Sequence, residues 1–185
     1  MSTQIQQDVA KSNEQYAASF KSGHLALPPA RKYLVGKHSA SRCTHTGHPP
    51  DTHHPVTCMD ARIDPAAAFG ISLGDAHVIR NAGGNAKDAL RSILISQHLL
   101  GTREIVLVKH TGCGMLTFSN DDAKAAVQGN GGKIDQAFDF QPFPELEAAV
   151  KRDVEFLTDH ESFPKGVNVS GWVYDVTTGK VARIV

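Results

Sequence analysis

The chain has 185 residues, a length that suits one domain with a single hydrophobic core. Its 19 basic and 19 acidic side chains give a formal net charge of zero, which argues against nucleic acid or an anionic membrane as the main partner. No apolar run is long enough to span a bilayer, and residues 1–20 lack the apolar centre of a secretory signal, so we expect a cytoplasmic protein with no membrane partner.

Residues 3–20 mix glutamine, lysine, glutamate and alanine with scattered apolar side chains. This composition predicts a helix of modest amphipathicity, which needs another surface to pack against. Pro28 and Pro29 should end any helix that reaches them. We therefore divide the chain into an N-terminal helical arm, residues 1–30, and a folded domain, residues 31–185.

A histidine-rich segment lies near the start of the domain, after a short apolar stretch at residues 33–35 that looks like the opening of a strand. Residues 36–55 hold five of the ten histidines, together with Cys43 and three prolines, and have hardly an apolar side chain. The segment is therefore predicted to be an exposed insertion and not a core element. Its histidines could bind an adventitious metal, but a solvated loop is the better interpretation because no fixed framework holds them.

The rest of the domain alternates between strand and helix patterns. In chain order we predict a strand at 56–59, a helical turn at 65–69, a strand at 76–80, a helix at 86–100, a strand at 105–109, a helix at 121–127, a loop at 129–143, a helix at 145–157, and a hairpin formed by 167–176 and 181–185. Gly101 should cap the helix before it. This alternation predicts a single α/β domain with a mostly parallel central sheet flanked by helices, and a C-terminal hairpin or edge strand.

Residues able to bind a metal follow two of the predicted strands. Cys58 comes at the end of the first strand, and His110 and Cys113 come just after the third. Three cysteines are too few for a disulfide framework, and the carboxyl ends of strands are where α/β sheets collect ligands. Two thiolates and one imidazole suit zinc and leave one tetrahedral position open for water or substrate. Each residue taken singly could instead be an ordinary buried side chain.

Two charged residues accompany Cys58. Asp60 and Arg62 lie two and four positions after it, so on an extended segment all three share a face. Arg62 could hold the carboxylate of Asp60 in a two-point grip. Asp60 could then accept a hydrogen bond from a hydroxide on zinc, or it could swing onto the metal and close the open position.

The pattern Cys58-x-Asp60-x-Arg62, followed later by His110-x-x-Cys113, resembles the signature of β-class carbonic anhydrases. Residues 77–84 between the two halves also resemble that family, and the match is good from about 56 to 113. Residues 111–116 are most similar to the compact branch of the family, which includes enzymes that hydrolyse carbonyl sulfide or carbon disulfide.

The resemblance implies a role for each matching position. Cys58, His110 and Cys113 would bind one Zn²⁺ per chain, with Asp60 as a fourth ligand in a closed state, and Asp60 and Arg62 would orient the nucleophile. A further pair, Gly83 and Gly84, would let the backbone approach the substrate pocket or would only shape a turn. The implied reaction is the reversible hydration of carbon dioxide to bicarbonate by zinc-bound hydroxide. The implied assembly is a homodimer or a dimer of dimers, with the N-terminal helix lying on the partner.

Two other functions remain open on the sequence. The same zinc site could hydrolyse carbonyl sulfide or carbon disulfide, since pocket width and access decide between small linear substrates. Alternatively, the chain could be a catalytically silent zinc-binding or redox-responsive relative. One departure from the family is the insertion at 36–55, because the first strand normally runs from its opening into the motif without interruption. We expect the insertion to loop out and the strand to resume at Val56.

Overall fold

The computed structural model describes residues 3–29 and 53–185. The predicted strand opening at 33–35 and the insertion up to residue 52, including Cys43, lie outside the described residues.

Within the described residues the chain forms five α-helices and five strands. The helices are α1 (Gln4–Ser19), α2 (Pro65–Phe69), α3 (Ala86–Leu100), α4 (Asn120–Gly129) and α5 (Leu146–Thr158), and the strands are β1 (His53–Cys58), β2 (Ile79–Asn81), β3 (Glu104–His110), β4 (Asn168–Tyr174) and β5 (Val181–Arg183). The sheet has the order β2-β1-β3-β4-β5, in which every neighbouring pair is parallel except β4 and β5. The predicted α/β domain with a mostly parallel sheet, helices around it and a C-terminal hairpin is confirmed.

The start of β1 differs from the prediction. Within the described residues the strand runs from His53 and thus includes residues before Val56, so the last three residues of the predicted insertion belong to the sheet. They pair with β3, from His53 opposite Glu104 to Pro55 opposite Val106. Strand pairing uses backbone groups and needs no apolar side chains, which is why composition missed it. Pro55 is tolerated because β2 pairs with β1 only from Val56 onward, and the proline therefore has a strand neighbour on one side alone.

The third helix shows why several predicted bounds were confirmed. The side chain of Asn85 accepts hydrogen bonds from the backbone N–H groups of Lys87 and Asp88, which fixes the start of α3. Gly101 ends the helix in the left-handed conformation with φ 75°, as expected of a C-cap glycine. Buried side chains of this helix pack with those of β1, β3 and α5 to form the main core, which comprises Val56, Ala86, Ala89, Ile93, Ile105, Leu107, Val150 and Leu157.

The N-terminal helix α1 has the predicted position but makes no core contact. Thr3 and Gln6 form a reciprocal capping box at its start, and none of its residues is buried. Its large apolar side chains Ile5, Val9 and Tyr16 are all more than half exposed. Among the described residues, no helix has the length and hydrophobicity required to cross a membrane.

Candidate metal centre

The sheet topology brings the three proposed ligands together. Strands β1 and β3 are parallel neighbours, so Cys58 at the end of β1 lies beside His110 at the end of β3. Cys113 follows three residues later, just before the 3-10 turn Gly114–Leu116. The two sulfurs and one imidazole nitrogen lie within 4.8 Å of one another, and all three residues are buried. The sequence prediction of a shared site at this edge of the sheet is matched by the geometry.

His110 has the tautomer that a metal requires. Its Nδ1 lies 2.9 Å from the carbonyl oxygen of Thr111, and because a carbonyl can only accept, Nδ1 carries the proton. Nε2 is therefore the nitrogen with the free lone pair. Nε2 is buried, and no acceptable hydrogen-bond partner for it is found among the described residues. A buried nitrogen lone pair that has no hydrogen-bond partner and lies close to two cysteine sulfurs is what is expected of a metal ligand.

Cys58 and Cys113 shift each other's pKa in opposite directions. A hydrogen bond from the Cys113 thiol lowers the pKa of Cys58 to about 4, against burial, with further help from His110 and from the backbone N–H groups of Asp60 and Gly83. The same hydrogen bond to Cys58, together with burial, raises the pKa of Cys113, while the charge of Lys109 acts in the opposite direction. Of the two cysteines, Cys58 is therefore the one whose thiolate is favoured, and a bound cation would favour the second thiolate.

His110 responds to the Cys58 thiolate. Burial disfavours the imidazolium, but the close thiolate outweighs burial and raises the pKa of His110. Two sulfurs and one imidazole match the ligand preference of zinc, and three protein ligands are the number found in open zinc sites. The residues present therefore fit a zinc ion.

Asp60 and Arg62 form the two-point contact that the sequence predicts. Arg62 donates from Nε and Nη2 to the two carboxylate oxygens of Asp60 at 2.9 and 2.7 Å, and its backbone N–H adds a third hydrogen bond at 2.9 Å. These hydrogen bonds hold the pKa of Asp60 far below its usual range. Nη2 of Arg62 also reaches the carbonyl oxygen of Gly112 at 3.0 Å, which ties the first motif to the second. The carboxylate lies 3.8 Å from Nε2 of His110.

Arg80, which lies on β2, holds the backbone of the first motif. It donates from Nε to the carbonyl oxygen of Cys58 at 3.1 Å and from Nη2 to that of Asp60 at 2.6 Å. Both contacts lie on residues that face the candidate metal site. The signal that could have found this role is the position of Arg80 on a strand next to β1 in the predicted sheet.

Gly83 and Gly84 lie in the 3-10 turn Ala82–Gly84, directly behind Cys58. Both are buried and both have positive φ, 72° and 58°. A Cβ on Gly84 would lie 3.0 Å from the backbone carbon of Thr57 and 3.1 Å from the backbone nitrogen of Cys58. Glycine at position 84 therefore lets two backbone segments meet beside the ligand.

Gly84→Ala should destabilise the protein more than Gly101→Ala does. Both positions have a positive φ, which costs a non-glycine residue about 1–2 kcal/mol, but a Cβ on Gly101 meets nothing within 4 Å. The backbone contacts around Gly84 should add about 1–3 kcal/mol. Urea unfolding of both variants at one protein concentration gives the difference. Equal losses for the two variants would show that the close approach at Gly84 has no energetic consequence.

Comparison with known proteins agrees with this geometry. The β-carbonic anhydrase 1 of Mycobacterium tuberculosis is 39% identical over 181 residues, which cover 97% of this chain and 98% of that relative. A family model described as carbonic anhydrase matches residues 54–181. The chain belongs to the β-carbonic anhydrase family. The sequence-based resemblance, drawn from the two motifs and the segment between them, is confirmed.

Solved structures and other relatives lie in the same family. A carbonic anhydrase from Glaciozyma antarctica has a TM-score of 0.81 and 37% identity, and one from Streptococcus mutans has 0.83 and 33%, each covering all of both chains. A carbon disulfide hydrolase of Acidithiobacillus thiooxidans is 36% identical over 142 residues, 66% of this chain and 71% of that protein. The chain thus has relatives named as carbonic anhydrases and relatives named as carbon disulfide hydrolases, the two activities that the sequence resemblance suggested.

One residue beside the site was given no role by the sequence. Lys109, the penultimate residue of β3, is fully buried in this β-carbonic anhydrase. Its Nζ lies 2.9 Å from a carboxylate oxygen of Asp153 on α5. The available signal was a lysine at the end of an otherwise apolar strand run, since a buried lysine is rare unless it is paired.

Proposed function

We propose that this protein catalyses the reversible hydration of carbon dioxide to bicarbonate, with one zinc ion held by Cys58, His110 and Cys113. The observation that supports it is the convergence of these ligand atoms within 4.8 Å, beside the Asp60–Arg62 pair, in a chain of the β-carbonic anhydrase family. A zinc ion bound there supplies a Lewis acid that lowers the pKa of a coordinated water to roughly 7 and makes hydroxide available at neutral pH.

The chain's own residues prepare the ligands. The carbonyl of Thr111 fixes the proton of His110 on Nδ1 and so directs the Nε2 lone pair into the site. Backbone N–H groups of Asp60 and Gly83 stabilise the Cys58 thiolate. Arg80 donates hydrogen bonds to the backbone carbonyl oxygens of Cys58 and Asp60. Such outer contacts reduce the reorganisation needed when a metal is bound.

Asp60 is proposed to orient the nucleophile. Three donors of Arg62 hold its carboxylate as a pure acceptor, so it can accept one further hydrogen bond from the attacking oxygen. In the reaction a C–O bond forms between carbon dioxide and that oxygen, an O–H bond of water breaks, and the proton leaves to solvent or buffer. With its carboxylate engaged by Arg62, Asp60 is proposed to leave the fourth metal position open. Gly83 and Gly84 are proposed to form one wall of the substrate pocket.

Stopped-flow hydration of carbon dioxide tests the proposal. Protein with a measured zinc content near one per chain should show fast turnover, and Cys58→Ser should serve as the blank. Absence of turnover with zinc fully bound would contradict the proposed reaction.

A second candidate reaction is hydrolysis of carbonyl sulfide or carbon disulfide by the same residues. It is favoured by one observation, the identity of 36% to a carbon disulfide hydrolase of Acidithiobacillus thiooxidans. Sulfide release from either substrate, measured on the same zinc-loaded sample, separates the two reactions. A zinc-loaded protein inactive on carbon dioxide, carbonyl sulfide and carbon disulfide would instead fit a silent or redox-responsive zinc protein.

We further propose that two copies of the chain associate through α1, as a homodimer that could pair into a dimer of dimers. Ile5, Val9 and Tyr16 recur at helical spacing on one side of a helix without a buried residue, and an isolated helix of this length is marginal in water. A cytoplasmic location is proposed because both Cys58 and Cys113 must stay reduced to bind zinc.

The double substitution Ile5→Asp with Val9→Asp should shift the protein from dimer to monomer. It places two charges in the proposed contact, where burying them unpaired is costly. Light scattering coupled to gel filtration measures the mass. The matched control is Gln7→Asp with Lys11→Gln, which changes the net charge by the same amount on the opposite side of α1 and should leave the mass unchanged. An unchanged mass for the Ile5 and Val9 variant would contradict the proposed contact.

A further inference from the structure

Lys109 is a charged side chain with no exposure to solvent, next to a proposed zinc ligand. Moving an ammonium group out of water costs several kcal/mol unless it is paired and hydrogen-bonded. The residues directly before it in the strand, Ile105 to Val108, are all apolar. A methionine or leucine would fit such a strand without this cost, so we expect the buried ammonium to have a role beyond filling the core.

The ammonium of Lys109 joins three parts of the fold. Its Nζ lies 2.9 Å from Oδ2 of Asp153 on α5, and it donates to the carbonyl oxygens of Gly83 at 3.1 Å and Gly84 at 3.3 Å. It also lies 4.7 Å from the centre of the Phe143 ring. A lysine ammonium has three donors, and these contacts use all of them. Lys109 is therefore fixed in one position.

The turn that Lys109 holds is the turn that contacts Cys58. Gly83 and Gly84 belong to one 3-10 turn, and Gly84 packs against the backbone of Thr57 and Cys58, whose carbon and nitrogen would lie 3.0 and 3.1 Å from a Cβ at this position. The two carbonyl groups bound by Lys109 belong to these same two glycines. On its other side, Lys109 is bonded directly to His110. One buried cation is thus connected to two of the three proposed ligands.

Asp153 anchors the arrangement to the helices. Its Oδ2 atom accepts from the backbone N–H of Ala86 at the start of α3 as well as from Lys109. Since α3 begins directly after the Gly83–Gly84 turn, the carboxylate holds both the end of this turn and the cation that binds its carbonyl groups. The turn can then shift only if several buried contacts break together.

We propose that Lys109 is a positioning residue for the zinc site: it fixes the Gly83–Gly84 turn, which packs against the backbone of Thr57 and Cys58, and so keeps the Cys58 ligand in place. This inference rests on the proposed zinc site. It assigns to Lys109 a role in metal affinity and ligand geometry, without contact to substrate. A purely structural Lys109–Asp153 pair would affect unfolding but not the zinc site.

Substitution of Lys109 by methionine tests this role. Methionine has a similar length but no hydrogen-bond donor. The turn would therefore lose the hydrogen bonds to its two carbonyl groups and its connection to Asp153. Competition with a chromophoric chelator should show zinc affinity about 10- to 100-fold weaker than in the unmodified protein, the usual effect of losing an outer-shell partner. The cobalt-substituted protein should show a changed sulfur-to-metal absorption band, because a shift of the turn would displace the backbone of Cys58 and with it the position of its sulfur.

Val150→Ala is the matched control for stability. Val150 is fully buried in the main core, a cluster that contains none of the proposed metal ligands, so its truncation should lower the unfolding midpoint and leave zinc affinity and the cobalt spectrum unchanged. Should Lys109→Met fail to fold, Lys109→Gln keeps an amide donor for one carbonyl and should weaken zinc binding about tenfold.

The experiment distinguishes failure of the proposed zinc site from failure of the positioning role of Lys109. Unmodified protein that binds no zinc would remove the proposed function and this inference with it. Unmodified protein that binds zinc, together with a folded Lys109 variant of equal zinc affinity and unchanged cobalt spectrum, would overturn the positioning role alone.

Discussion

Cys113→Ser should leave the protein without zinc and without measurable hydration of carbon dioxide. Serine keeps the size of the side chain but offers a hydroxyl that stays protonated at neutral pH, whereas zinc prefers thiolate. Losing an outer-shell partner weakens metal binding about 10- to 100-fold, so losing a direct ligand should exceed about a hundredfold. Zinc per chain by atomic absorption and turnover by stopped flow give the result, and His110→Ala should behave in the same way.

The third cysteine provides the control for this loss. Cys43 is not among the proposed ligands and lies outside the described residues, so Cys43→Ser removes a thiol and should retain zinc and activity. Removal of zinc from the unmodified protein by a chelator should abolish turnover, and added zinc should restore it. If Cys43→Ser lost zinc as completely as Cys113→Ser, the proposed ligand set would be wrong.

The clustering of the three candidate ligands was predictable because these residues lie at positions that topology fixes. Cys58 and His110 each lie at the end of a predicted strand, and strands that alternate with helical patterns predict a parallel sheet. Parallel strands end at one edge of the sheet, so residues far apart in sequence meet there. The pairing of Thr57 with Val108 is the register that brings this about.

Contacts that depend on tertiary packing were not predictable from local pattern. His53–Pro55 joined the sheet because β3 extends far enough to pair with it, although its composition resembles a loop. The partner of Lys109 is Asp153 on a helix, and neither residue belongs to a motif. Sequence shows that a lysine ends an apolar strand, but only the packing of α5 shows that it is fully buried and paired.

Asp60→Asn should retain zinc and lose about a hundredfold or more in kcat/KM. The substitution keeps the shape of the side chain but replaces one carboxylate oxygen with an amide NH2 group. This donor would either lie against the donors of Arg62 or leave the attacking oxygen without its hydrogen-bond acceptor. Positioned groups that assist proton movement contribute about 10²–10⁴-fold. Because Asp60 is held by Arg62 in the structure and is not among the three clustered ligands, zinc content should stay near that of the unmodified protein. Steady-state stopped-flow kinetics and zinc analysis on one sample measure both.

Asp64→Asn is the matched control for this loss. Asp64 caps α2 by accepting from the backbone N–H groups of Ala66 and Ala67, and asparagine is an equally good N-cap, so the same change of charge four residues away should be silent. Arg62→Lys should have an intermediate effect, since lysine keeps the charge but cannot make the two-point contact to Asp60. Loss of zinc in Asp60→Asn would mean that Asp60 binds the metal, and the open site proposed above would have to give way to a closed one.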